Sequence, residues 1–160
     1  MKTRNILILC TGNSARSIIG EVLVSSMPGL KGYSAGSRPR EEPHPAALGV
    51  LEANGHDTSG LYSKSWTEFE GPDAPEMEMI ITLCDNAASE TCPNWPGHPV
   101  QVHWALQDPL HVEEMAQRRA AFEDTYSSLK KRLQRLAALD FDALSPEELK
   151  ATAQDIHTKR

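Results

Sequence analysis

The chain has 160 residues, 39% of them hydrophobic, with 16 Lys and Arg against 22 Asp and Glu for a formal net charge of -6. That length suits one domain with a sizeable core. The acidic balance excludes binding of nucleic acid or another polyanion through a broad basic surface, so any anion site must be local.

NILILC (residues 5–10) is a continuous apolar run and predicts a strand buried on both faces, as in a parallel sheet. Its apolar part, residues 6–9, is far too short for a signal peptide or a membrane span, so neither a leader nor a membrane association is expected. A helix should follow, because Ala15, Ile18, Ile19, Val22, Leu23 and Met27 fall on one face, with Pro28 and Gly29 as its stop. GYSAG (32–36) reads as a second strand. Pro45 opens a second helix that carries Ala46, Ala47, Val50 and Leu51 and closes before Gly55. Trp66 and Phe69 lie in a single helical turn, followed by a third strand at MEMIITLC (77–84) and a fourth at VQVHWAL (100–106).

Phe122, Tyr126, Leu129, Leu133 and Leu136 then repeat at helical spacing with Lys130, Lys131, Arg132 and Arg135 between them, predicting an amphipathic helix of about 25 residues. In SPEEL (145–149), Ser145 as cap, Pro146 at the first position and Glu148 three residues on predict a short last helix. The expected architecture is an α/β three-layer sandwich, a four-stranded parallel sheet flanked by helices. Residues 1–140 form the main domain and 141–160 a helical extension packed on it or trailing it. Such sheets carry their sites at the carboxyl ends of their strands, where Cys10 ends the first strand and Cys84 the third.

CTGNSARS (10–17) lies at the first of these edges. The backbone N–H groups of Thr11, Gly12, Asn13, Ser14 and Ala15 can curl round a tetrahedral oxyanion while the next helix points its positive end at it. The small residues allow close approach, Arg16 reaches back with a two-pronged donor, and Asn13 and Ser17 shape the loop. The same donors favour a thiolate at Cys10, facing the anion. This is not the nucleotide-binding G-x-x-x-x-G-K-[ST] loop, since it has one glycine and no lysine.

Three cysteines in a reducing cytoplasm are more often reactive or metal-bound than bridged. Cys84 and Cys92 have poor spacing for zinc, with no third cysteine nearby, and no metal is expected. On a continuous helix they would lie about 12 Å apart, whereas a disulfide needs Cα atoms within about 7 Å. A bond between them therefore requires a loop; two unrelated thiols remain the other reading. Asp108, just after the fourth strand, falls at the same edge as Cys10, where a carboxylic acid can protonate a leaving oxygen; a turn or cap role before Pro109 is the other reading, and the two can coexist. The six histidines are not read as catalytic, and Trp66, Trp95 and Trp104 are read as packing.

The C-x5-R-S frame at the first strand–helix junction resembles the low-molecular-weight protein tyrosine phosphatase superfamily. YSAG (33–36), PAALGVLEANGHDTSGLYSK (45–64), ITLCDNAASETCPNWPG (81–97) and HWALQDP (103–109) extend the likeness over residues 5–110. Within it the chain is most similar to the arsenate reductases of the cysteine-relay type. That resemblance implies a cytoplasmic enzyme of arsenical resistance, in which Cys10 attacks arsenate, Cys84 attacks Cys10 to release arsenite, and Cys92 attacks Cys84. Asp108 matches the general acid. No cofactor is bound; thioredoxin, or glutaredoxin with glutathione, restores the thiols. Phosphate and sulfate are expected to serve as substrate analogues, and since nothing in the sequence requires an oligomer, a monomer is expected. Some members also hold potassium beside Asn13, Glu21 and Ser34, but the aspartate they use in addition has no counterpart in SKSWTEF (63–69).

Two rivals stay open. A tyrosine phosphatase would use the same loop, but the superfamily's phosphatases carry aromatic residues after the Asp-Pro, where Leu110 and His111 stand here. A cysteine phosphocarrier would have no use for Cys84 and Cys92.

Overall fold

The computed structural model describes residues 3–13, 15–70, 73–83, 99–106, 109 and 114–158. Strand β1 (Arg4–Cys10) is the centre of the molecule, its last five residues buried, as its unbroken apolar run requires. It leads into α1 (Arg16–Ser25), β2 (Leu30–Gly36), α2 (Pro45–Ala53) and a 3-10 turn (Trp66–Phe69). There follow β3 (Met79–Thr82), β4 (Val100–His103), α3 (Met115–Ala137) and α4 (Pro146–Thr158). The four strands are parallel in the order β2-β1-β3-β4.

This order brings the first crossover to one side of β1 and the next strand to the other. For both crossovers to be right-handed they must use opposite faces of the sheet. The second crossover passes α2 over the face that holds α1 and then carries the 3-10 turn on the other face, and the side chains divide between the two. Ile6, Ile8, Met79, Ile81 and Val102 join residues of all four α-helices in one cluster, while Leu7, Leu9 and Ile80 meet Trp66, Phe69 and Met77 in a second. Among the described residues, the expected helices on both faces are thus four α-helices on one and the 3-10 turn on the other.

The predicted elements all form; β1 and β2 begin earlier than expected, and β3 and β4 are shorter. β3 and β4 are flanked by hydrogen bonds from Glu78 to Asn5 (2.8 Å), Leu83 to Leu9 (2.9 Å) and Trp104 to Thr82 (2.8 Å). Trp104 leaves the strand to become fully buried, its indole donating to the Ala153 carbonyl at 2.9 Å. On α1, Val24 is fully buried, whereas Val22 and Met27 pack at the edge of the core. All five apolar residues predicted for the face of α3 are buried. Arg132, expected on its solvated side, is buried too, because α4 covers it and His157 accepts from its Nε at 3.1 Å.

The last segment joins the core through Leu149, Ala153 and Ile156. Gln154 also caps the exposed edge of β4: its Oε1 accepts from the His103 N–H (3.1 Å) and its Nε2 donates to the His103 carbonyl (2.7 Å). The predicted cap of α4 is reciprocal, with Glu148 N–H donating to Ser145 Oγ (3.1 Å) and Ser145 N–H to Glu148 Oε1 (3.0 Å). The Ser145 donors hold the Glu148 carboxyl below its usual range. Its contribution to stability is therefore present at neutral pH and lost as pH falls through that depressed value. Ser145→Ala should lower stability by about 1 kcal/mol, a fall of about 2–4 °C in melting midpoint by calorimetry. The gap to wild type should narrow when the scan is repeated below the carboxylate range.

Candidate functional site

Strand order places the reversal of the chain between β1 and β3, and the crevice at the carboxyl ends of these strands is where parallel sheets bind ligands. Cys10 ends β1 there, in register with Gly36 at the end of β2. It is a free thiol, 3% exposed.

Asn13 shapes the loop that follows. Its φ of 44° lies in the left-handed region, which asparagine tolerates better than most side chains. Its Oδ1 accepts from the Lys64 N–H (2.9 Å) and its carbonyl from Ser63 Oγ (2.6 Å). Because a backbone N–H can only donate, that bond identifies the amide oxygen, and Nδ2 is left to donate to Ser17 Oγ at 2.7 Å. Ser17 Oγ, having accepted that bond, stands 2.9 Å from Cys10 Sγ, where it can accept from the thiol or donate to the thiolate. The relay Asn13 to Ser17 to Cys10 is fully buried apart from a trace at sulfur.

The loop's carbonyls are used on its outer side. Arg38 N–H donates to the Thr11 carbonyl (3.0 Å) and Arg40 N–H to the Gly12 carbonyl (2.9 Å). The peptide bonds are trans, so the Gly12 and Asn13 N–H groups point opposite to those carbonyls, toward the inside of the cradle. Helix α1 begins at Arg16 with Ala15 at its cap position and no side-chain cap, so its first amides have no acceptor within the helix and its positive end is uncovered by a capping side chain. Arg16 Nη1 donates to the Leu106 carbonyl (2.9 Å), which fixes the guanidinium against the segment after β4.

Gly36 lets this loop close. A Cβ there would stand 2.4 Å from the Thr11 carbonyl oxygen, closer than a side chain can approach, and 3.0 Å from Asn13 N, already a tight contact.

Of the predicted site residues, Cys10, Thr11, Gly12, Asn13, Ala15, Arg16 and Ser17 lie together at the carboxyl end of β1 and the start of α1. Ser14, Cys84, Cys92 and Asp108 lie outside the described residues. Leu83 and Leu106, the last described residues before Cys84 and Asp108, reach the same edge: the Leu83 N–H donates to the Leu9 carbonyl and the Leu106 N–H to the Leu83 carbonyl, both at 2.9 Å. Among the described residues no group of three or more His, Cys, Asp and Glu is placed to hold a metal, and no helix is long and apolar enough to cross a membrane.

The cation position implied beside Asn13, Glu21 and Ser34 does not fit a free ion. Lys64 Nζ reaches Glu21 Oε1 (3.2 Å), Ser34 Oγ (3.4 Å) and the Tyr62 carbonyl (3.1 Å), while Ser34 Oγ donates to Glu21 Oε1 at 2.6 Å. The ammonium also stands 4.6 Å from the centre of the Tyr62 ring. Burial, then the hydrogen bond to Glu68 and its charge, push the Tyr62 phenol up. The sequence showed only the missing aspartate in SKSWTEF; the lysine within that stretch was the available signal.

A model of the low molecular weight phosphotyrosine protein phosphatase family matches residues 5–154. An arsenate reductase of Bacillus subtilis is 32% identical over 127 residues, 76% of this chain and 86% of that protein. One from Halalkalibacterium halodurans is 29% identical over 140 residues, 86% of this chain and 97% of its own length. Among solved structures, an arsenate reductase in its phosphate-binding state superposes with a TM-score of 0.65 at 25% identity, over 85% of this chain and 98% of that one. A low molecular weight protein tyrosine phosphatase from T. tengcongensis, at 18% identity and TM-score 0.64 over 84% of this chain and 97% of that one, shares the fold.

Gly36→Ala should distort the cradle as well as weaken the fold. Phosphate should raise the wild-type melting midpoint in a thermal titration, and the variant should lose most of that increment even at a temperature where it is folded.

Proposed function

Since the chain belongs to the low molecular weight phosphotyrosine protein phosphatase family, we propose that it is an arsenate reductase working through Cys10, Cys84 and Cys92. The observation that carries this reading is the Cys10 sulfur held at 2.9 Å by Ser17 inside a loop that turns its amides inward. That loop would serve phosphate or arsenate alike. Cys84 and Cys92 favour reduction, as do the relatives named for it.

Cys10 thiolate attacks the arsenic of arsenate, and one oxygen leaves as water after protonation by Asp108, giving a thiol-arsenate adduct. Arg16 and the loop amides hold the charge on the remaining oxygens. Cys84 thiolate then attacks Cys10 Sγ. The S–As bond breaks toward arsenic, which takes the electron pair and departs as arsenite, and a Cys10–Cys84 disulfide forms. Cys92 thiolate attacks Cys84, frees Cys10 as a thiolate and leaves a Cys84–Cys92 disulfide. An external thiol reductant of the cytoplasm closes the cycle. Thioredoxin is proposed first, after a structurally similar enzyme described as thioredoxin-dependent; glutaredoxin with glutathione is the alternative. The general acid and the two later thiols rest on sequence position.

Reduced protein incubated with arsenate and mapped by mass spectrometry should show a Cys84–Cys92 disulfide, and Cys92→Ser should trap Cys10–Cys84. Cys10→Ser should lower arsenite formation by about 10^4-fold or more. Three free thiols after arsenate, together with efficient hydrolysis of an aryl phosphate, would assign the protein to phosphate-ester hydrolysis instead.

A further inference from the structure

We propose that Lys64 is a built-in monovalent cation that holds the Cys10 loop in its active shape, so that the protein requires no potassium there. Lys64 is 7% exposed and Ser34 fully buried, with Glu21 as the counter-charge. Carboxylate, hydroxyl and backbone carbonyl surround Nζ at 3.1–3.4 Å, the oxygen set that a small cation would take. A second cation in the same cage would meet the ammonium at close range in a poorly screened site. Asn13 Oδ1, another oxygen such an ion would use, is occupied by the Lys64 N–H.

The position of the lysine gives its charge leverage. The residue that supplies the ammonium also supplies the N–H that sets the Asn13 amide and the carbonyl that accepts from Gly36 N–H at 2.9 Å. Anchoring Nζ to Glu21, on α1, and Ser34, on β2, therefore fixes the backbone against which Asn13, Ser17 and Cys10 are aligned. Lys64 touches no reacting atom; it is a positioning residue acting through Asn13 and Ser17. A tethered charge is also always in place, since no ion has to be drawn from solution and immobilised.

The test compares wild type, Lys64→Ala and Lys64→Met in choline, sodium and potassium chloride at constant ionic strength. It follows the melting midpoint, the rate of Cys10 alkylation by iodoacetamide localised by peptide mass spectrometry, and arsenate turnover. Wild type should behave alike in all three salts. Lys64→Ala should lose about tenfold in alkylation rate and in kcat/KM in choline, and recover in rate or in melting midpoint when potassium fills the vacated space. Lys64→Met, which fills the space without charge, should lose as much and recover nothing. Activation of wild type by potassium would overturn the proposal, as would a Lys64→Ala protein whose melt and rates ignore the cation. The inference rests on the reading of the Cys10 loop as the reactive cradle, but melting and alkylation do not use arsenate. A wild type that leaves arsenate unreduced while showing the predicted cation pattern would sink the reductase reading alone.

Discussion

The buried side chain of Asn13 is the joint from which the reactive loop hangs. With φ at 44°, a bond from each side of its amide and another at its carbonyl, it ties the loop to residues 63–64 and to the first turn of α1. A buried amide left partly unmatched would be costly, so a network that satisfies every group admits few arrangements. This one brings the Ser17 hydroxyl to 2.9 Å from the Cys10 sulfur. The surroundings of the thiol are thus an outcome of how its neighbours satisfy their hydrogen bonds.

That joint works only because the sheet presents it at the right place. β1 is the inner strand at which the connections reverse, and its carboxyl end opens into the crevice between diverging crossovers. β2 then brings Gly36 close enough to touch the loop backbone, and the segment after it supplies the Arg38 and Arg40 N–H groups that take up the loop's carbonyls. With those carbonyls engaged outside, the amides face inward. The cradle is therefore a property of three chain segments, although its residues are contiguous.

The electrostatics divide in a similar way. A chain with net charge -6 has no general affinity for anions. At the Cys10 loop the positive charge comes from the start of α1, where no side chain caps the helix, and from Arg16, while the charge of Lys64 is turned inward onto Glu21. Local donors would suffice for a small anion in a site shielded from water, since an amide inside a protein acts more strongly than the same group in water.

The sequence by itself determined a good deal. The apolar run of residues 5–10 can be satisfied only by burial on both faces, the helical faces repeat at the period of the α-helix, and C-x5-R-S between them places a thiol, small-residue amides and a guanidinium within reach of one anion. These are local features, set by neighbours a few residues apart. Arg132 and Lys64 show where such reasoning stops. Both are charged residues that pattern assigns to the surface, yet one is covered by α4 from 25 residues onward in the chain and the other is enclosed by α1 and β2 from some 30 to 43 residues earlier. Whether a charge is solvated or caged, and which oxygen turns toward which proton, depends on partners that meet only when the sheet has formed. That long-range meeting is what the tertiary structure alone decided.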